Sequence, residues 1–129
     1  MASALYPAYK ELLLGAGLNL TSLAIKAVVI DTADYTYSAA HNFLDDVAAG
    51  SRIATSSNLA SKTVTGGVFD AADVVINGVA GDASEAVILY YDSGSEATST
   101  LIAYLDGLTI QQNPGNLTIQ WHASGIFSL

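Results

Sequence analysis

Two histidines, His41 and His122, are the side chains of this sequence whose ordinary pKa lies closest to neutral pH. His41 follows Ser38 by three residues and precedes Asp45 by four, so a Ser–His–Asp arrangement can be drawn along this segment. Such spacing on one helical turn does not give the geometry of a catalytic triad, and no G-x-S-x-G motif accompanies it. We therefore interpret His41 as a partly exposed surface residue.

His122 directly follows Trp121 in a segment with the alternation of a β-strand, so the two side chains should point to opposite faces. We interpret His122 as a solvent-facing or interface residue. With neither histidine placed in a catalytic arrangement, we predict no catalytic residues and no enzymatic activity. The enzyme alternative is a small hydrolase, which would need one histidine within hydrogen-bond distance of a serine or carboxylate in a pocket.

Closely spaced aspartates are the other candidates for chemistry. No segment has the alternating ligands of a calcium loop, and cysteine is absent, so zinc–thiolate sites and disulfides are excluded. Turn and capping roles explain such aspartates. We predict no metal and no cofactor; calcium held between distant loops stays an alternative. The pairs are Asp31 with Asp34, Asp45 with Asp46, and Asp70 with Asp73.

The charge balance restricts the partners. The chain has a formal net charge of −8, and its four basic residues are scattered. Nucleic acids and anionic membranes are recognised by clustered Lys and Arg, so neither is an expected direct partner. Only 12% of the residues are charged and 51% are apolar, so we expect part of the apolar surface to be covered by other subunits.

The N-terminal segment is predicted to be helical over residues 6–16. Pro7 suits a first-turn position, and Tyr6, Tyr9 and Leu13 recur at helical spacing. The apolar run at residues 12–14 is too short for a signal peptide, and no later run is long enough to span a membrane. We expect an N-terminal helical arm over residues 1–20 and synthesis in a cytoplasm.

The rest of the chain, residues 21–129, reads as short strands separated by Gly, Asn, Asp and Ser clusters. Helical turns are predicted only at residues 39–47, capped by Ser38. Strands regularly alternating with helices are absent. The pattern predicts a mainly β protein with a single antiparallel β-sandwich, jelly-roll-like, and a short N-terminal helix. The predicted strands are residues 23–30, 52–55, 62–64, 74–76, 86–91, 100–105, 117–121 and 125–129.

Both ends of the chain are apolar, which is unusual unless the ends are docked. We therefore predict that the N-terminal helix or the C-terminal strand mediates contacts with other subunits or with a larger partner. Tyrosine is also favoured at interfaces, and Tyr35 with Tyr37 or Tyr90 with Tyr91 could form a contact surface, although tyrosine is equally a good strand residue. The predicted interface residues at the two ends are Tyr6, Tyr9, Leu13, Ile126, Phe127 and Leu129.

Several segments taken together are similar to known virion proteins. They are MASALYPAYKELLL at residues 1–14, KAVVIDTADYTY at 26–37, VTGGVFD at 64–70, LIAYLD at 101–106 and NLTIQW at 116–121. In this order they resemble small virion structural proteins of tailed bacteriophages, over nearly the whole chain. The motifs are structural, and the resemblance supplies no catalytic residues.

The resemblance implies a capsid cement or decoration protein. Such proteins typically form homotrimers on the outside of an HK97-type shell, bind the major capsid protein and stabilise the shell against internal DNA pressure. The expected location is the virion, after synthesis in the host bacterial cytoplasm. The alternative is a tail-associated or carbohydrate-binding β module, which would stack sugars on exposed tyrosines and on an exposed Trp121; the sandwich instead buries Trp121 with Leu117 and Ile119.

Overall fold

Antiparallel strands dominate the structure, a computed structural model that describes residues 4–15, 17, 19–77, 86–106, 109–113, 116–121 and 125–128. In chain order the elements are β1 (Ala4–Leu5), α1 (Pro7–Leu14), β2 (Ile25–Ile30), β3 (Arg52–Thr55), β4 (Thr63–Thr65), β5 (Val68–Asp70), β6 (Val74–Asn77), β7 (Ala86–Tyr91), β8 (Leu101–Asp106), β9 (Thr109–Asn113), β10 (Asn116–Gln120) and β11 (Phe127–Ser128). The predicted mainly β class with one short α-helix is confirmed.

The strands form three antiparallel sheets. Their strand orders are β1-β8-β7-β2-β3, β6-β10-β9 and β11-β5-β4. This arrangement is consistent with a β-sandwich, but the single two-sheet, jelly-roll-like sandwich stays a prediction because the described strands belong to three separate sheets.

The five-stranded sheet has apolar cores on both of its faces, which explains the nearly continuous apolar runs of its central strands. In β2, Ala27 and Val29 belong to one core and Val28 and Ile30 to the other. The first core also contains buried residues of the two smaller sheets. The second is closed by residues of the irregular segment 31–51 rather than by another sheet.

Helix α1 begins at Pro7, which has no N–H to leave unpaired at the helix start. It ends before Gly15, whose N–H donates to the Glu11 carbonyl at 3.0 Å. The helix packs on β8, and β1 directly before it pairs with β8 through Ala4 opposite Tyr104. The boundary between arm and domain at residue 20 stays a prediction, but the described part of the arm joins the main sheet.

The segment at residues 39–47 differs from its prediction. Its regular structure is one short 3-10 turn at Leu44–Asp46, and a second 3-10 turn follows at Ala49–Ser51. Ser38 accepts the Ala40 N–H at 3.2 Å in a local turn rather than capping a helix. Buried Leu44 and Val47 pack against the five-stranded sheet, so tertiary packing outweighs the weak helical pattern of this segment.

Two strands were missed by sequence reasoning, β5 and β9. A tight turn at Gly66-Gly67 joins β4 to β5, and both glycines have the positive φ that primed hairpin turns require. Strand β9 contains two glutamines and lacks the apolar pattern of a buried strand, but it pairs with β10 along its whole length.

Candidate contact surface

The N-terminal residues predicted to contact other subunits divide into two groups. Tyr6 and Tyr9 are fully buried within the chain, at 0% exposure. Their rings pack in the core of this chain, and their predicted contact with other subunits stays a prediction. Leu13 is half-buried and packs against the first core, whereas Leu14, beside it at the end of α1, is 89% exposed.

The C-terminal residues predicted for the interface also pack inward. Ile126 is buried, and its N–H donates to the Phe69 carbonyl at 2.8 Å. Half-buried Phe127 packs on Phe69, with 5.4 Å between ring centroids, and on Tyr9 at 6.1 Å. Leu129 lies outside the described residues. The C-terminal strand β11 is thus held by β5 and α1 of its own chain.

His41 lies at the end of a hydrogen-bonded chain of phenols. The hydroxyls of Tyr6 and Tyr35 are 2.7 Å apart, and the Tyr35 hydroxyl is 2.9 Å from Nδ1 of His41. The rings of Tyr37 and Tyr104 pack against these tyrosines. Burial is the main cause that raises the pKa of Tyr6 and of Tyr35 above the usual range, so both phenols are neutral at physiological pH.

The Ser–His–Asp arrangement drawn from the sequence does not form. The His41 ring is hydrogen-bonded to the Tyr35 phenol, and the Ser38 hydroxyl accepts a backbone N–H instead. Asp46 accepts the N–H groups of Asn42 and Phe43 at 2.8 and 3.1 Å. These bonds hold the pKa of the Asp46 carboxyl below its ordinary value. The absence of enzymatic activity stays a prediction; His122 lies outside the described residues.

Aspartates of the predicted pairs hold turns and neighbouring strands. Asp31 accepts the Ala33 N–H at 2.9 Å, and Asp70 accepts the Ala71 N–H at 2.8 Å. Asp73 accepts the Trp121 N–H at 3.0 Å. Within the described ranges, no three His, Cys, Asp or Glu side chains come together as a metal site.

Trp121 belongs to the core. Its side chain is only 6% exposed, and its indole Nε1–H donates to the Ala72 carbonyl at 3.0 Å. Leu117 and Ile119 are fully buried on the same face of β10, as the alternating pattern predicts. Trp121 therefore offers no stacking face for a sugar ring.

A shallow groove separates α1 from the segment that precedes the first 3-10 turn. It has a volume of about 300 Å³, and one wall carries Glu11 and Leu12 while the other carries Asn42 and Phe43. Phe43 is 37% exposed at its edge. The groove is partly apolar, and the charged residue that lines it is an acid.

Exposed apolar side chains also occur on two strands. Val64 in β4 and Val75 in β6 are each 56% exposed. Strand β4 lies at the end of its sheet, and all three of its residues are exposed. The sequence placed a strand here, but only the sheet order shows that it is an edge.

Three of the four basic side chains are engaged within the chain. Lys26 lies 2.7 Å from the Asp92 carboxylate, and Arg52 forms a two-point ion pair with Glu96. The Lys62 ammonium donates to the Leu23 carbonyl.

In the part of the chain that the structure describes, no helix is long and apolar enough to cross a membrane.

Comparison with known proteins adds no identification: no protein-family description matches this chain, and no curated protein matches its sequence.

Proposed function

We propose that this chain is a virion structural protein of a tailed bacteriophage, a capsid cement or decoration subunit. In this role it binds the major capsid protein on the outside of an HK97-type head, as a homotrimer, and stabilises the shell. It is made in the host cytoplasm and has its final location in the virion. It is not an enzyme, and its partners are proteins rather than nucleic acid or membrane.

The observation that carries the proposal is the apolar surface left on a chain with few charges. Leu14, Phe43, Val64 and Val75 remain exposed although only 12% of the residues are charged. Phe43 adjoins the partly apolar groove beside α1, and joined apolar surface favours contact with another protein. The similarity of the sequence segments to phage virion proteins supplies the kind of partner.

The charge distribution supports an external position on a DNA-filled particle. The chain carries a net charge of −8, and three of its four bases are held by its own carboxylates or carbonyls. Little positive charge is then left for a phosphate backbone, whose recognition depends on Lys and Arg. The alternative of a tail-associated subunit shares these properties. Burial of Trp121 argues against the carbohydrate-binding alternative.

Co-sedimentation tests the proposal directly. The purified chain is mixed with expanded, empty heads assembled from an HK97-type major capsid protein, and binding is measured across a range of chain concentrations. Saturable binding to heads, together with a trimer in analytical ultracentrifugation, is the expected result. A monomer that does not bind heads contradicts the proposal, and binding to purified tails alone supports the tail-associated alternative.

A further inference from the structure

Among the described strands, β4 is a sheet edge that lacks the usual protection. Proteins usually protect such edges with charged side chains, proline or bulges, because unpaired backbone groups recruit other strands. Thr63, Val64 and Thr65 include neither charge nor proline. Lys62, the neighbouring residue that could serve as a protecting charge, instead directs its ammonium to the Leu23 carbonyl.

The face of this small sheet carries an apolar row that runs out to the edge. Phe127 lies directly opposite Phe69, and Phe69 lies opposite Val64. Exposure increases along the row, from buried Phe69 to Val64 at 56%. A further strand beside β4 with an apolar residue opposite Val64 would extend the row by one side chain and pair the outer backbone groups of β4.

The net charge of the chain, −8, favours a basic strand over a second copy of this chain at β4. Beside the strand itself lie one acid, Asp70, directly opposite Thr63, and one base, Lys62, whose ammonium donates to the Leu23 carbonyl. A second copy paired through β4 alone would not be held there, because three residues bury far less than the roughly 1,200–2,000 Å² of a stable interface. A partner that is already bound to another surface of this chain can add a short strand at β4 without burying so large an area there. Its first contact raises the local concentration of the strand.

We infer that β4 accepts, as an added antiparallel or parallel strand, an extended segment of the shell protein that carries an apolar residue flanked by Lys or Arg. This inference rests on the proposed function and specifies the partner's chemistry. The backbone supplies the pairing, Val64 supplies an apolar contact, and the net negative charge of the chain favours Lys or Arg on the segment.

The test measures the affinity for expanded heads of three variants: Val64→Lys, Val64→Glu and Val75→Lys. Val75 is the matched control because it is equally exposed but lies on the outer face of another sheet, opposite Thr118. We expect Val64→Lys to bind about tenfold more weakly than wild type and Val64→Glu about threefold more weakly, with Val75→Lys changed less than about twofold. Raising the salt concentration should weaken wild-type binding.

The outcomes separate this inference from the proposed function. If wild-type chain does not bind heads, both are overturned. If wild type binds and Val64→Lys binds as tightly as Val75→Lys, the edge-strand inference alone is overturned. A greater loss for Val64→Glu than for Val64→Lys contradicts a basic partner. If Val64→Lys converts an oligomer into monomers in ultracentrifugation, a second copy occupies the edge instead. Unchanged urea midpoints in the three variants show that folding is not the cause.

Discussion

The Tyr35 hydroxyl lies 2.9 Å from Nδ1 of His41, at the point where the segment after β2 closes over the second core. On its other side the same hydroxyl lies 2.7 Å from the hydroxyl of fully buried Tyr6. Tyr6 directly precedes α1. The hydrogen bond between the Tyr35 and Tyr6 hydroxyls therefore joins the N-terminal segment to the segment that covers the five-stranded sheet. Sequence reasoning had separated these residues into an interface helix and a surface histidine.

Removing the Tyr35 hydroxyl should destabilise the fold through the partner that it leaves behind. In Tyr35→Phe the buried Tyr6 hydroxyl loses its hydrogen bond, and we expect a loss of about 1–3 kcal/mol in the free energy of unfolding, measured in urea. In the double variant Tyr6→Phe/Tyr35→Phe no orphaned phenol remains in this pair. Its stability should therefore equal or exceed that of Tyr35→Phe; a strictly additive loss would contradict this account.

Asp46 should give the fold a measurable sensitivity to acid. Backbone N–H bonds from Asn42 and Phe43 lower the pKa of its carboxyl from 3.8. The pKa of the Asp46 carboxyl is lower in the folded chain than in the unfolded chain. The carboxylate therefore stabilises the fold above about pH 4, and this stabilisation is lost as the pH falls through the folded-state pKa. We expect Asp46→Asn to lose about 0.5–1.5 kcal/mol at pH 7 and to differ less from wild type near pH 2.

Asp45→Asn is the matched control for that experiment. Asp45 is exposed and adjacent, and the hydrogen bond described for it uses its backbone N–H, which donates to the Glu96 carbonyl. Urea unfolding as a function of pH should therefore give Asp45→Asn a curve parallel to that of wild type. Parallel curves for both variants would show that the Asp46 carboxylate does not couple stability to pH.

Arg52 should contribute more to stability through backbone carbonyls than through its ion pair. Its guanidinium donates to the Val47 carbonyl at 2.7 and 2.9 Å and to the Leu44 carbonyl at 3.1 Å, in addition to its pair with Glu96. Lysine cannot reproduce this planar set of donors. We expect Arg52→Lys to lose about 1–2 kcal/mol in thermal or urea unfolding. Glu96→Gln, which leaves the carbonyl bonds intact, should lose less; an equal or greater loss would contradict this ranking.

Gly125 should be required for the attachment of the C-terminal strand. Its φ of 111°, and a position where an added Cβ would lie 2.3 Å from Cγ1 of Val68, both exclude larger residues. We expect Gly125→Ala to cost about 2 kcal/mol or more and to increase amide hydrogen exchange at Ile126. Gly94→Ala is the control, since Gly94 has a φ of 95° but open space around its Cβ position. It should cost only backbone strain, about 1 kcal/mol, without faster exchange at Ile126.

Periodic apolar patterns allowed the sequence to determine much of the sheet. The β7 bounds match the predicted strand at residues 86–91, and burial of Leu117, Ile119 and Trp121 follows from their alternation in β10. The hairpin turn at Gly66-Gly67 follows from the backbone freedom of glycine. These features are local, because each depends on residues within a few positions of one another.

Only the tertiary structure decided which apolar residues face solvent. Tyr6 and Val64 are both apolar residues of short segments, but Tyr6 is enclosed by tyrosines from distant segments while Val64 lies at the end of a sheet. Burial of such residues depends on strand order and on how the segment after β2 folds back, and both are set by contacts between positions far apart in the chain. The composition therefore predicted a protein with contact surfaces, and the fold moved the candidate surface from the chain ends to the β4 edge.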